Sequence, residues 1–167
     1  PVVLLAGDLS ALMLRALARR LRRWWWARRR VWTIGDLSIG WHCQFLTGTD
    51  GRIYIGARVS LADQVVLNAC HDGQIAIGDD CLIGPRVYIR TANHRTTQTD
   101  VPIRVQGHER GVVIIGRDVW LGAGVIVLPD VHIGESCVIG AGSVVTQSLP
   151  DGVVAAGNPC RVIRVRP

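Results

Sequence analysis

From Ile55 onward, aliphatic residues return every six positions. Ile55, Leu61 and Leu67 form one run, Ile77, Ile83 and Ile89 a second, and Ile115, Leu121, Val127, Ile133, Ile139 and Val145 an unbroken third. The next residue is glycine in seven of these twelve hexads, at Gly56, Gly78, Gly84, Gly116, Gly122, Gly134 and Gly140. The fifth position is small or β-branched, as in Val59, Val65, Cys81, Val87, Val119, Val125, Val131, Cys137 and Ser143. A period of six matches neither an amphipathic helix nor an alternating strand. It suits an all-β prism of three flat faces, in which each hexad makes one short strand and one corner and three hexads make a coil. The aliphatic first residue points inward and stacks on its equivalents, with about 4.8 Å between coils. The glycines are expected to supply corner conformations that a Cβ disfavours. A β-sandwich would instead need polar–apolar alternation and turns every 8–12 residues or so. The pattern therefore predicts a parallel β-helix of about five coils. Residues 34–50 form a poorer first coil, and "GRIY" and "GQIA" are short corner insertions.

The rule breaks at one place. In "IRTANH" the fifth and sixth positions are Asn93 and His94, and the repeat then stops for 20 residues, Arg95 to Ile114. A histidine facing outward at a corner, beside an excursion at about 95–114, is how a site is built on a rigid scaffold.

Before the prism, Leu9, Leu12, Met13, Ala16, Leu17, Leu21, Trp24 and Trp25 fall at helical spacing within residues 9–26, and Asp8 or Ser10 can cap the helix. The opposite face is rich in arginine. One reading is an amphipathic helix whose residues 9–30 lie on an anionic membrane surface; the other is a helix packed on the prism or on a neighbouring subunit. The sequence thus divides into an arm, 1–32, a β-helix domain, 33–156, and a tail, 157–167.

Composition narrows the function. Of 167 residues none is lysine, and eight of the 19 arginines lie between Arg15 and Arg30. Residues 31–167 carry 11 arginines against 12 acidic residues, so the net charge of +6 is no argument for nucleic-acid binding by the prism. Five cysteines (Cys43, Cys70, Cys81, Cys137 and Cys160) form no CxxC pair, which argues against a disulfide framework or zinc knuckle and for a reducing compartment. The apolar start is too short and too charged for a membrane span and lacks the basic region of a signal peptide. A cytoplasmic protein is expected, peripheral to the inner face of the membrane if the arm binds it.

The stretch from "IIGRDVWLGAGVIVLPDVHIGESCVIG" to "GNPCRVIR", with "CLIGPRVYIRTANHRTTQTDVPI" before it, resembles the hexapeptide-repeat acetyltransferases, most of all the maltose, galactoside and exopolysaccharide O-acetyltransferases. The resemblance implies a left-handed winding, a homotrimer, acetyl-CoA as donor, no metal, and a sugar or polysaccharide-precursor hydroxyl as acceptor. It matches His94 in "TANH" to the family's catalytic histidine. A neutral imidazole can take the proton that keeps a hydroxyl a poor nucleophile, and the oxyanion that follows needs a preorganised donor. The resemblance assigns that donor to the backbone N–H of Ala123, and coenzyme A contact to Trp120, Ala123, Ala141, Thr146, Arg161 and Arg164. It matches Asn68 to the acceptor-binding asparagine, although Asn68 falls where a corner would tolerate Asn without any function.

Other residues stay ambiguous. His71 breaks the small-residue rule and reads as a buried, hydrogen-bonded histidine. His132, at the same corner one coil after His94, could lie near it. His108 lies in the excursion, where Asp100 or Glu109 could orient His94 or bind sugar. Cys81 and Cys137 read as core. An antibiotic-modifying acetyltransferase, a three-histidine zinc enzyme of carbonic anhydrase type and a non-catalytic β-helix subunit are the competing functions. The sequence does not name the acceptor or the acyl chain length.

Overall fold

The computed structural model describes residues 30–167. The helix expected over residues 9–26, and the membrane contact proposed for residues 9–30, fall almost wholly outside them. Within the described residues no helix is long and apolar enough to cross a membrane.

Three parallel sheets form the faces of a prism. Face A stacks Val31–Thr33, Arg52–Ile55, Gln74–Ile77, Val112–Ile115 and His132–Ile133. Face B stacks Leu37–Ile39, Val59–Leu61, Leu82–Ile83, Trp120–Leu121, Val138–Ile139 and Val153–Ala156. Face C stacks Gln44–Leu46, Val66–Asn68, Tyr88–Arg90, Ile126–Val127 and Val144–Val145. The chain visits A, B and C in turn for five coils and begins a sixth, which is the left-handed parallel β-helix. Its first strand starts at Val31, slightly before the boundary drawn from the sequence.

All twelve hexad-leading residues are at most 3% exposed and share one core, with the fifth-position residues filling the corners between them. Truncating one of these large aliphatic residues would cost about 2–5 kcal/mol, the lost burial plus a cavity that rigid coils cannot close.

Glycine does something other than expected. The left-handed backbone occurs two residues later, at the fourth hexad position: Arg58, Gln64, Asp80, Arg86, Asp118, Gly124, Asp130, Ser136 and Gly142 all have φ between 54° and 70°. The second-position glycines are required by space. A Cβ on Gly116 would lie 2.7 Å from the Glu135 nitrogen and 2.8 Å from the Gly134 carbonyl carbon, in the coil above. Coils as close as strand spacing demands leave no room for a side chain there.

The excursion is also shifted. The chain leaves the prism after Thr91, pairs Ala92–His94 antiparallel with His108–Arg110, and rejoins face A at Val112. Asn93 and His94 therefore sit on a hairpin, not at a corner of the coil. At the far end, Arg161–Val165 folds back antiparallel on Val153–Ala156 after a cis Asn158–Pro159 bond and covers the edge of face B. Arg166 fastens this tail through Asp118 (2.9 Å) and the Ser136 carbonyl (3.2 Å).

Candidate active site

The corner from face C to face A is where the coils lengthen. Residues 47–51, 69–73 and 92–111 are inserted there in three successive coils, so the insertions lie on one another. Their contact is tight: a Cβ on Gly73 would fall 1.9 Å from Thr91 Oγ1. Thr91 is fully buried and donates its hydroxyl to the carbonyls of Cys70 (3.2 Å) and Asn68 (3.4 Å) and its N–H to Asn68 (3.1 Å). It roots the hairpin in the coil below. The Gln106 amide donates to the carbonyls of Gln98 and Val101, both at 2.7 Å, and closes the outer loop.

Three histidines meet on this edge. His94 faces His108 across the hairpin ladder, with ring centroids 4.3 Å apart and planes tilted by 38°. His71 stacks on the His108 ring, at 4.1 Å and 21°. An ion pair between Arg110 and Asp72 ties the hairpin to the same lower corner. His71 is thus exposed, with φ 54°, rather than buried in the core: its corner bulges outward beneath the excursion. His132 stands on face A paired with Ile114, and the ring that His94 approaches is that of His108, on which His71 also stacks. Among the described residues neither Asp100 nor Glu109 makes a hydrogen bond or ion pair with His94. The His108 imidazole titrates below its ordinary value, first because it is desolvated and then because His71, His94 and Arg90 would add positive charge around it.

Asn68 lies in regular strand, not at a strained corner, and donates its amide to the Tyr88 hydroxyl at 3.2 Å. Its partner in the next coil is Arg90. Both residues end their strands at the edge that carries the histidines. His71, Tyr88, Arg90, Thr91 and His108 are site-edge residues that hexad counting did not single out for function. Their common sign is that each lies in an insertion at the same corner or in the segment of chain that leads into one.

The residues matched to coenzyme A lie mostly elsewhere. Trp120 is 53% exposed on face B, between Leu82 and Val138. Ala123 and Ala141 occupy the corner from face B to face C in successive coils, joined by the Gly142 N–H to Ala123 carbonyl bond of 2.8 Å. Arg161 and Arg164 are exposed on the returning strand, and among the described residues neither is paired with a carboxylate. Thr146 stands apart from this set, just past face C on the other edge.

The N–H of Ala123 carries no carboxylate cap. At equivalent corner positions the N–H groups of Trp41, Ala57 and Glu135 donate to Asp63, Asp79 and Asp151 of the coil above, at 2.7–2.8 Å. Above Ala123 stands Ala141, whose side chain has no acceptor, so Ala123 has no such cap, as is also true of Asp63, Asp79 and Arg117 at the same position of their hexads. His94 and Ala123 flank opposite edges of face C, on the order of 15 Å apart for a strand and its two corners.

Cys81, Cys137 and Cys160 are buried. Burial pushes the Cys81 thiol up to about 11, and its Sγ donates to the Gly116 carbonyl at 3.1 Å. The three imidazoles overlap ring on ring, and among the described residues no three His, Cys, Asp or Glu side chains converge as a metal site.

Comparison with known proteins places these features. The model for bacterial transferase hexapeptide (six repeats) matches residues 113–147, and that for the hexapeptide repeat of succinyl-transferase matches 74–91. Galactoside O-acetyltransferase of Lactococcus lactis is 44% identical over 117 residues, covering 67% of this chain and 49% of that protein. The Escherichia coli galactoside O-acetyltransferase is 41% identical over 103 residues, covering 59% and 47%. The chain spans about half the length of the curated relatives it matches. Among solved structures, the maltose O-acetyltransferase from Clostridium difficile 630 superposes with a TM-score of 0.73 at 34% identity, covering 84% of this chain and 72% of that one. A hexapeptide-repeat containing acetyltransferase from Vibrio cholerae, complexed with acetyl coenzyme A, gives 0.72 at 28% identity, covering 89% and 78%.

Proposed function

The chain belongs to the hexapeptide-repeat acetyltransferase family, and from that premise we propose that it transfers an acetyl group from acetyl-CoA to a sugar hydroxyl, with His94 as general base. The observation that carries this reading is an exposed His94 held on a short hairpin that Thr91 roots in the rigid coil. The relatives named as sugar O-acetyltransferases, and the neighbour complexed with acetyl coenzyme A, support the acceptor and donor classes.

In this reading the imidazole of His94 takes the proton of the acceptor hydroxyl as the oxygen attacks the thioester carbonyl. The N–H of Ala123, which has no carboxylate cap, receives the resulting oxyanion; one such donor is typically worth about 3 kcal/mol. Collapse restores the carbonyl and expels the coenzyme A thiolate, which takes the proton from His94. Small side chains at Ala123 and Ala141 would let the pantetheine arm lie against the backbone, beside exposed Trp120. Arg161 and Arg164 have guanidinium groups to give to phosphate, with Thr146 and Asn68 as further donor and acceptor contacts.

A base and an oxyanion donor at opposite edges of one face cannot meet within one prism. They can meet where the edge of one prism faces the edge of another. This supports a homotrimer with the reacting groups contributed by two chains.

The test is release of coenzyme A thiol from acetyl-CoA across a panel of sugars and glycans, with His94→Ala alongside. The expected loss for that variant is at least about a hundredfold in turnover, with circular dichroism and oligomeric mass unchanged. Full turnover in His94→Ala would end the proposal.

A further inference from the structure

Among the described residues no hydrogen bond reaches the imidazole of His94, and the ring it meets is that of His108, with centroids 4.3 Å apart and planes tilted by 38°. A general base has to present one ring nitrogen along a fixed line to the hydroxyl, whereas a histidine on an exposed strand turns about two side-chain bonds. A carboxylate or carbonyl on the second nitrogen would ordinarily fix the ring, and among the described residues His94 has neither. His108 is placed to do so instead. The ladder register pairs His94 with His108, and directly opposed side chains stand on one side of a strand pair. His108 is half-buried, and His71 stacks on its ring at 4.1 Å and 21°. His71 comes from the lower corner, to which the Thr91 hydroxyl (3.2 Å to the Cys70 carbonyl) and the ion pair of Arg110 with Asp72 fasten the hairpin. The His108 ring thus takes its own placement from the rigid coil.

We propose that His108 is a positioning residue of this site: its ring holds the plane of the His94 imidazole by ring contact, without exchanging a proton with it. The inference rests on the O-acetyltransferase reading for the role of His94. Desolvation is the first thing that opposes protonation of His108, and the charged and titratable groups that bear on it, His71, His94 and Arg90, oppose it too. A ring kept neutral in this way adds no positive charge beside the imidazolium that forms as His94 takes the hydroxyl proton. Displacing a base by about 1 Å can cost on the order of a hundredfold in rate, so a contact that only orients the ring is enough to matter.

The experiment uses the full chain, with acetyl-CoA and methyl galactoside as substrates and thiol release as the rate. His108→Gln keeps a hydrogen-bonding side chain but no ring; His108→Phe keeps a flat ring that can neither titrate nor hydrogen-bond. His108→Gln should lower kcat by about ten- to a hundredfold with both KM values within about twofold, and His108→Phe should bring kcat back to within about threefold of wild type. Without any acceptor, the ring-proton NMR signals that vanish in His94→Ala should move in His108→Gln, where the neighbouring ring current is lost, and stay shielded in His108→Phe. Unmoved His94 signals or wild-type kcat in His108→Gln, no recovery in His108→Phe, or a raised KM with kcat unchanged would each overturn the positioning role. So would loss of amide protection over Ala92–His94 in His108→Gln, which would make the ring a staple of the hairpin. His94→Ala, run alongside, separates the two claims. Its full turnover ends the base assignment and this inference with it, whereas an inactive His94→Ala beside a fully active His108→Gln ends the inference alone.

Discussion

The rings of His94 and His108 lie 4.3 Å apart at facing positions of a three-residue ladder, with His71 also stacked on His108. Because the pKa of His108 is lowered from the ordinary 6.5, the folded chain binds fewer protons than the unfolded chain as pH falls through that value. The contribution of His108 to stability is present in full above about pH 6.5 and is lost on acidification. Thermal melting between pH 8 and 5 should show wild type losing more stability on the acid side than His108→Gln, with the amides of the Ala92–His94 strand exchanging earliest. Parallel melting curves would remove His108 from this account.

The N–H of Ala123 can be deleted without distorting the coil. Pro85 occupies the same corner position one coil below, also preceded by a glycine, Gly84. Proline is therefore compatible with the backbone there. Ala123→Pro should fold as wild type and lose about 10²–10³ in turnover, as removal of one oxyanion donor does. Unchanged turnover, measured by thiol release, would assign that charge to another group.

Mixing two inactive variants tests whether the site is shared. If each site takes His94 from one chain and Ala123 from the next, statistical reassembly of His94→Ala with Ala123→Pro restores about one quarter of wild-type activity, since half the chains bring each intact group. No recovery after reassembly would mean that both groups act within one chain.

Gly116 and Gly107 separate space from conformation. Gly116→Ala drives a Cβ into the backbone of the next coil, whereas Gly107, with φ 78°, has nothing within 4 Å of an added Cβ. Overpacking against backbone should cost about 1–3 kcal/mol, a fall in Tm of roughly 3–10 °C for a domain of this size. Gly107→Ala should cost no more than about 1–2 kcal/mol and, being confined to the hairpin, should show in activity more than in Tm.

The inward column was legible because burial obeys a period. An aliphatic residue every sixth position is a local pattern, and a prism is the solid that buries it. The outward histidine was legible as the point where the period stops. Other features were not, because they depend on which coil lies on which. The hexads alone present glycine as a source of unusual φ, yet Gly116 is determined by what sits above it. By hexad count His71 falls in the core, because a count does not distinguish an inward fifth position from a bulging corner.

The sequence by itself determined the fold, its repeat and the place where the repeat breaks, since each follows from residues near one another in the chain. Only the tertiary structure decided that His71, His94 and His108 share one edge, that the N–H of Ala57 is capped from the coil above while that of Ala123 is not, and that Arg90 keeps a buried nitrogen unpaired. These facts depend on contacts between successive coils, whose register is set by insertion lengths and backbone pairing rather than by the hexads themselves.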